Sequence, residues 1–276
     1  MKIEDLYREI DEFSSKTHGS SDYHKDNFFI KGGKAGVYAP LSYLKKKSSD
    51  YDDLNKFLAV GFIQNAYNFF EQDDFRTWYE NQFARKLQKP YTNSIVVVEI
   101  PNNQVVLDTL EGVSKCYEVL RRENIIMNGK NLPTQMGEWY AKSIFGLTQV
   151  RSTSQRGFDF FMGGHRAEVK VHWADQSSPK GVKIRKSLVD LSDFTIIVYL
   201  TKNFFIRELC ILDSAFVLRK FSSKGHTMFL KDQDVSQYFF SNSDKQKDKV
   251  ANPTSMLKYA TPGLAMKLTE WFPGIS

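Results

Sequence analysis

The sequence predicts a mixed α/β protein with a mostly helical N-terminal region over residues 1–130, then a central mixed β-sheet flanked by helices over 131–276. Three observations predict it. Apolar residues in the first half recur mainly at helical spacing, with one clear strand run among them. The second half alternates as α-β-β-α-β-β-α. Between the halves, Asn128-Gly129-Lys130-Asn131 followed by Pro133 is a break in the pattern.

Each element has a local reason. Ile3, Leu6, Ile10 and Phe13 line one face of a first helix ending near Ser15. Residues 17–50 read as irregular, with Gly32-Gly33 and the run Lys45-Lys46-Lys47. Asp52 or Asp53 can cap a helix reaching Glu71, and a second helix covers about 74–88. Ser94–Ile100 is a strand by its β-branched content, and Asp108 with Glu111 forms a capping-box pattern for a helix to Glu123. In the second half, Thr134 can cap a helix over Gln135–Phe145, which Gly146 ends. Strands are expected at 158–162, 165–173, 194–200 and 205–213, a short basic helix at 183–190, and a helix at 214–221. Residues 241–253 read as a polar loop, and the tail 255–272 as helix broken at Pro262-Gly263.

Composition narrows the function classes. Hydrophobic residues at 41% and charged residues at 25% are ordinary for a globular chain, so wholesale disorder is excluded. No apolar run approaches the ~18 residues of a membrane span, and the first residues, Met1-Lys-Ile-Glu-Asp, lack the apolar stretch of a secretory signal. Cys116 and Cys210 cannot build a disulfide framework or a cysteine zinc site, and the expected location is the reducing cytoplasm. Residues 1–130 hold 18 Lys/Arg against 19 Asp/Glu, while 131–276 hold 20 against 13, so the whole net +6 resides in the second half. Such asymmetry favours a polyanionic partner.

The chemistry is concentrated in Arg156–Trp173. Gly163-Gly164 between two strand-like runs signals a two-residue hairpin turn, which puts Met162 opposite His165, Phe160 opposite Ala167 and Asp159 opposite Glu168. One face then carries Phe158, Phe160, Met162, Ala167, Val169, Val171 and Trp173, and is apolar. The other carries Asp159, Phe161, Arg166, Glu168, Lys170 and His172. Two carboxylates side by side repel, and a Mg²⁺ ion, which prefers hard oxygen ligands, would offset that repulsion. The plain alternative is an amphipathic hairpin in which Asp159, Arg166 and Lys170 form solvated ion pairs.

Asp159, the turn and Glu168-Val169-Lys170 resemble the signature of the PD-(D/E)XK nuclease superfamily, the fold of most type II restriction endonucleases. Glu138, on the helix before the first strand, resembles the further acid that members often carry there; no proline precedes Asp159, whose neighbour is Phe158. The resemblance spans about 134–213 and implies a restriction-endonuclease-like core. It implies a Mg²⁺-dependent, site-specific endonuclease for double-stranded DNA, a type II restriction enzyme working as a homodimer. In that scheme Asp159 and Glu168 hold Mg²⁺ with the main-chain oxygen of Val169, Lys170 orients the attacking water, and Glu138 serves a second metal or its water shell. Residues 1–130 would serve recognition or dimerisation. A related nuclease of repair, mobile elements or anti-phage defence, and a non-catalytic DNA-binding module on the same fold, are the alternatives.

DNA-backbone contacts are expected from Arg151, Gln155 and Arg156, just before Asp159, and from the basic cluster Lys183, Arg185 and Lys186 with Lys180 beside it. His165 and His172 are not expected to ligate metal, and His18, His24 and His226 lack metal-site spacing. Lys31-Gly-Gly-Lys-Ala-Gly36 reads as a turn, and the aromatics Tyr67, Phe69, Phe70, Phe75, Trp78 and Tyr79 as core.

Overall fold

The structure, a computed structural model, describes residues 1–65, 74–149, 157–173, 181–221 and 225–274. The chain divides into two units, 1–119 and 120–276. Both are mixed α/β, and no described helix is long and apolar enough to cross a membrane.

In the first unit the helix Ile3–Ser14 buries Ile3, Leu6, Ile10 and Phe13, the four residues its spacing selects. They pack on a four-stranded sheet ordered β2-β1-β4-β3, from β1 (Phe28–Lys31), β2 (Tyr38–Pro40), β3 (Phe62–Asn65) and β4 (Val96–Glu99). The sequence reading found only β4. β1 and β2 lie in the stretch read as irregular; each is at most four residues long, too short for alternation to stand out. The helix expected to reach Glu71 stops at Val60, where Gly61 turns the chain into β3. A side chain at Gly61 would come within 2.4 Å of Val98, so the close approach to β4 requires glycine. Helix Gln104–Arg122 begins ahead of the Asp108 capping pattern, because the Asn103 side chain accepts the N–H groups of Val105 and Val106. Phe75, Trp78 and Tyr79 are core, as expected; Tyr67, Phe69 and Phe70 lie outside the described residues.

The second unit is built on a five-stranded mixed sheet ordered β10-β9-β7-β6-β5. Its strands are β5 (Thr148–Gln149), β6 (Phe160–Met162), β7 (His165–Trp173), β9 (Phe194–Leu200) and β10 (Ile206–Asp213). β7 runs parallel to β9, and the other pairs are antiparallel. Helices cover the sheet. Helix Leu132–Phe145, with Pro253–Tyr259 and Pro262–Trp271, shares a core with Val169, Ile196, Val198 and Leu209. Ile197, Tyr199, Cys210 and Leu212, alternate along the same strands, pack with Val217 of helix Ser214–Phe221 and with a ribbon of β8 (Val182–Arg185) and β11 (Thr227–Leu230). Strands buried on both faces explain the apolar run Ile196–Leu200.

Two expectations change here. Residues 183–190 are not one helix: Val182 and Ile184 are buried while Lys183 and Arg185 are exposed, a period-two pattern that makes β8, and only Lys186–Val189 is helical. Helix Leu132–Phe145 starts earlier than Gln135, because Asn131 rather than Thr134 caps it, accepting the Thr134 N–H at 3.0 Å. Its end is as read, with Gly146 in the left-handed conformation at φ 62°.

Candidate active site

The hairpin register is the one the turn dictates: Met162 pairs with His165, Phe161 with Arg166 and Phe160 with Ala167. The ladder then stops. Asp159 does not continue it opposite Glu168; its N–H donates to Ala167 O at 3.1 Å, and its Oδ2 accepts the Val169 N–H at 3.0 Å. Phe158 is buried, as expected, and packs edge-on against Phe161 with ring centres 5.0 Å apart. Phe160, Met162, Ala167 and Val169 are core, with Val171 and Trp173 against them, as the alternation requires.

The polar side of β7 is less solvated than an ordinary amphipathic hairpin would be. Glu168 is 5% exposed and Glu138 9%. Asp159 links them. Its Oδ1 accepts a 3.0 Å hydrogen bond from Lys130 Nζ, which also donates to Glu138 Oε1 at 2.5 Å. On its other side the Asp159 charge acts on Glu168, which is paired with Lys170. Burial, then the charge of Asp159, pushes the Glu168 carboxyl up to about 7 despite Lys170. Burial also raises Glu138, against the pull of Lys130. Burial would lower Lys130, but its two carboxylate partners leave it raised, hence charged.

The structure therefore brings Glu138, Asp159, Glu168 and Lys170 together and adds Lys130, which sequence reasoning passed over as part of a break. Its signal was position, immediately before the cap of the helix that carries Glu138. Arg166 is elsewhere: its guanidinium and N–H grip Asp193, at 2.9 Å for the shorter guanidinium contact. Both ring nitrogens of His172 are engaged, Nε2 by the Gly181 N–H at 3.3 Å and Nδ1 by Arg207 at 3.2 Å. Val169 contributes its N–H to the cluster while its side chain stays in the core.

Lys170 and Lys183 open onto one cleft of about 580 Å³, lined also by Asn131, Thr134, Trp173 and Phe229. Arg185 is exposed two residues along the same face of β8, and Lys186 is half-buried at the turn into the next helix. Arg151, Gln155, Arg156 and Lys180 lie outside the described residues.

The donor set suits a hard divalent cation. Burial first, and then the charge of Asp159, hold the Glu168 carboxyl up at about 7, and a bound cation would offset both. Among the described residues no three His, Cys, Asp or Glu side chains are arranged to hold a metal together. The chain matches no protein-family model, and no curated protein matches it.

Proposed function

We propose that the protein is a Mg²⁺-dependent endonuclease for double-stranded DNA, of the PD-(D/E)XK type, with a type II restriction role as the specific form. One observation carries the reading: Glu138 on a helix, Asp159 just before β6, and Glu168 and Lys170 on β7 converge on one half-buried cluster, tied together by Lys130 and by the Lys170–Glu168 pair. Asp159 and Glu168 are the residues to hold the ion. When bound there, it supplies an activated water and offsets phosphate charge. Lys170 lies on Glu168 and borders the open cleft, so its ammonium can orient that water and meet the phosphate. Lys183 and Arg185 extend the positive surface along the cleft side of β8. The described residues of one chain hold one such cluster, so cutting two strands calls for a second copy.

Asp159→Ala, Glu168→Ala and Lys170→Ala are each expected to abolish Mg²⁺-dependent plasmid cleavage while far-UV circular dichroism stays native. Cleavage at the wild-type rate by any one of them would remove the assignment.

A further inference from the structure

We infer that the outer face of helix Gln104–Arg122 is where two copies of this chain meet, their helices antiparallel and crossing beside Glu111 and Gly112. The inference stands apart from the nuclease reading, and it supplies the second copy which that reading calls for.

One side of the helix is seated on the first unit. Leu107 is buried in that core, and the Gln104 side chain accepts the Ile3 N–H at 2.9 Å. The side turned away from this seat carries Val105, Val106, Val113 and Val119, each between 44% and 74% exposed. Thr109, Gly112 and Cys116 lie among them and are exposed as well. The Thr109 hydroxyl donates back to the Val105 carbonyl at 2.7 Å, so its hydrogen bond is met within the helix. The result is an uncharged stripe about four turns long. Single exposed valines are ordinary, but a continuous row marks a surface that is covered in use. Valine and glycine are also poor choices for a solvated helix, so propensity does not account for them.

The charges select the occupant. Asp108 and Lys115 are both exposed and lie two turns apart along one edge of the stripe. A two-fold axis across the helices keeps that edge on the same side in both copies. Asp108 then lies beside the partner subunit's Lys115, and Lys115 beside the partner subunit's Asp108. A parallel pair would turn this edge toward the valine edge of the other helix and leave both charges unmatched. A different partner would need the same charge spacing in reverse, which a second copy has by symmetry. At the crossing, a side chain on Gly112 would meet nothing within 4 Å, so the axis is open to the other helix.

Sedimentation velocity of the full chain over a concentration series, without DNA or metal, decides it. The wild type is expected to dimerise as concentration rises. Val105→Glu with Val113→Glu should stay monomeric with a native circular dichroism spectrum. Asp108→Lys and Lys115→Glu should each weaken the dimer about tenfold, because two weak surface pairs turn from attractive to repulsive. Mixed in equal amounts, these two variants should pair with each other about as tightly as the wild type does with itself, since each restores the charge that the other has lost. A monomeric wild type, a dimer that survives the double valine change, or charge variants that fail to recombine overturns the inference. None of these outcomes bears on the nuclease reading, which stands or falls on cleavage by the Asp159, Glu168 and Lys170 variants.

Discussion

The two units treat their charged residues differently. Among the described residues of 1–119 most ion pairs lie at the surface, among them Arg8–Asp5, Lys25–Asp22 and Lys56–Asp52, and the buried polar side chains are Gln82 and Thr92. In residues 120–276, Glu138, Glu168, Glu208 and His172 are all buried. The first unit obeys the ordinary rule that charge stays in water and aromatic rings fill the core, with Phe13, Phe29, Phe75, Trp78 and Phe83 in mutual contact. The second breaks that rule at its central sheet. Burying a carboxylate costs free energy unless something offsets it, and such exceptions concentrate where a protein does chemistry. The first unit thus serves as an internal control for the second.

The largest expected effect that sharpens the contrast is a pH dependence of stability. Glu168 goes from about 4.5 in the unfolded chain to about 7 in the folded one. Below 4.5 it is protonated in both states; between 4.5 and 7 only the folded chain keeps the proton, so stability falls as pH rises through that window and levels off above it. At about 1.4 kcal/mol per pK unit the loss is on the order of 3–4 kcal/mol. Urea unfolding of metal-free protein from pH 4.5 to 8 should show a steeper fall for the wild type than for Glu168→Gln; the difference isolates Glu168 from Glu138 and Glu208, whose raised values act in the same direction. Mg²⁺ should raise the melting temperature at pH 8 and barely at pH 5, because it binds the ionised pair. Parallel curves for the two proteins would return Glu168 to the class of ordinary carboxylates.

A pair of helical glycines tests packing in the same way. A side chain on Gly137 would come within 2.3 Å of Val171 on β7, whereas one on Gly112 meets nothing within 4 Å. Gly137→Ala is expected to cost about 1–3 kcal/mol by overpacking and to displace the neighbouring Glu138. Gly112→Ala is expected to stabilise by about 0.5–1 kcal/mol through helix propensity. Thermal melts of both variants read the signs directly; equal shifts would mean that the helix bearing Glu138 is not seated against β7.

Much of the second unit was legible because its signals are local. Gly163-Gly164 fixes the hairpin register, Gly146 ends the helix, and the runs 194–200 and 206–213 are long enough to read as strands. The first unit hid its sheet because β1 and β2 are short and β1 pairs with β4, more than sixty residues away, a contact no local pattern announces. In the site, Glu168 and Lys170 followed from the alternation along β7, while the end of the ladder before Asp159 did not, since such a break leaves no mark on side-chain alternation. Lys130 escaped because its role depends on how Gln135 folds the preceding loop.

The smallest effect concerns lysines, and it asks whether the charge asymmetry between the halves has a use. Lys183 and Arg185 are exposed on one face of β8, and among the described residues neither is in an ion pair. Lys46 and Lys47, on the helix Leu41–Lys47, lie against Tyr23 and Tyr43, and Lys47 is tied to Glu9 and Glu12. Each phosphate contact that is lost should reduce the slope of log affinity against log salt by about 0.9. Lys183→Ala with Arg185→Ala should therefore flatten the slope by nearly 2 and weaken binding about tenfold on every duplex sequence alike. Lys46→Ala with Lys47→Ala should leave the slope unchanged. Gel shifts in Ca²⁺ across a salt series make the comparison without cleavage. An unchanged slope for the β8 variant would make Lys183 and Arg185 a solvated strand face, and a flattened slope for the Lys46/Lys47 variant would move the phosphate track into the first unit.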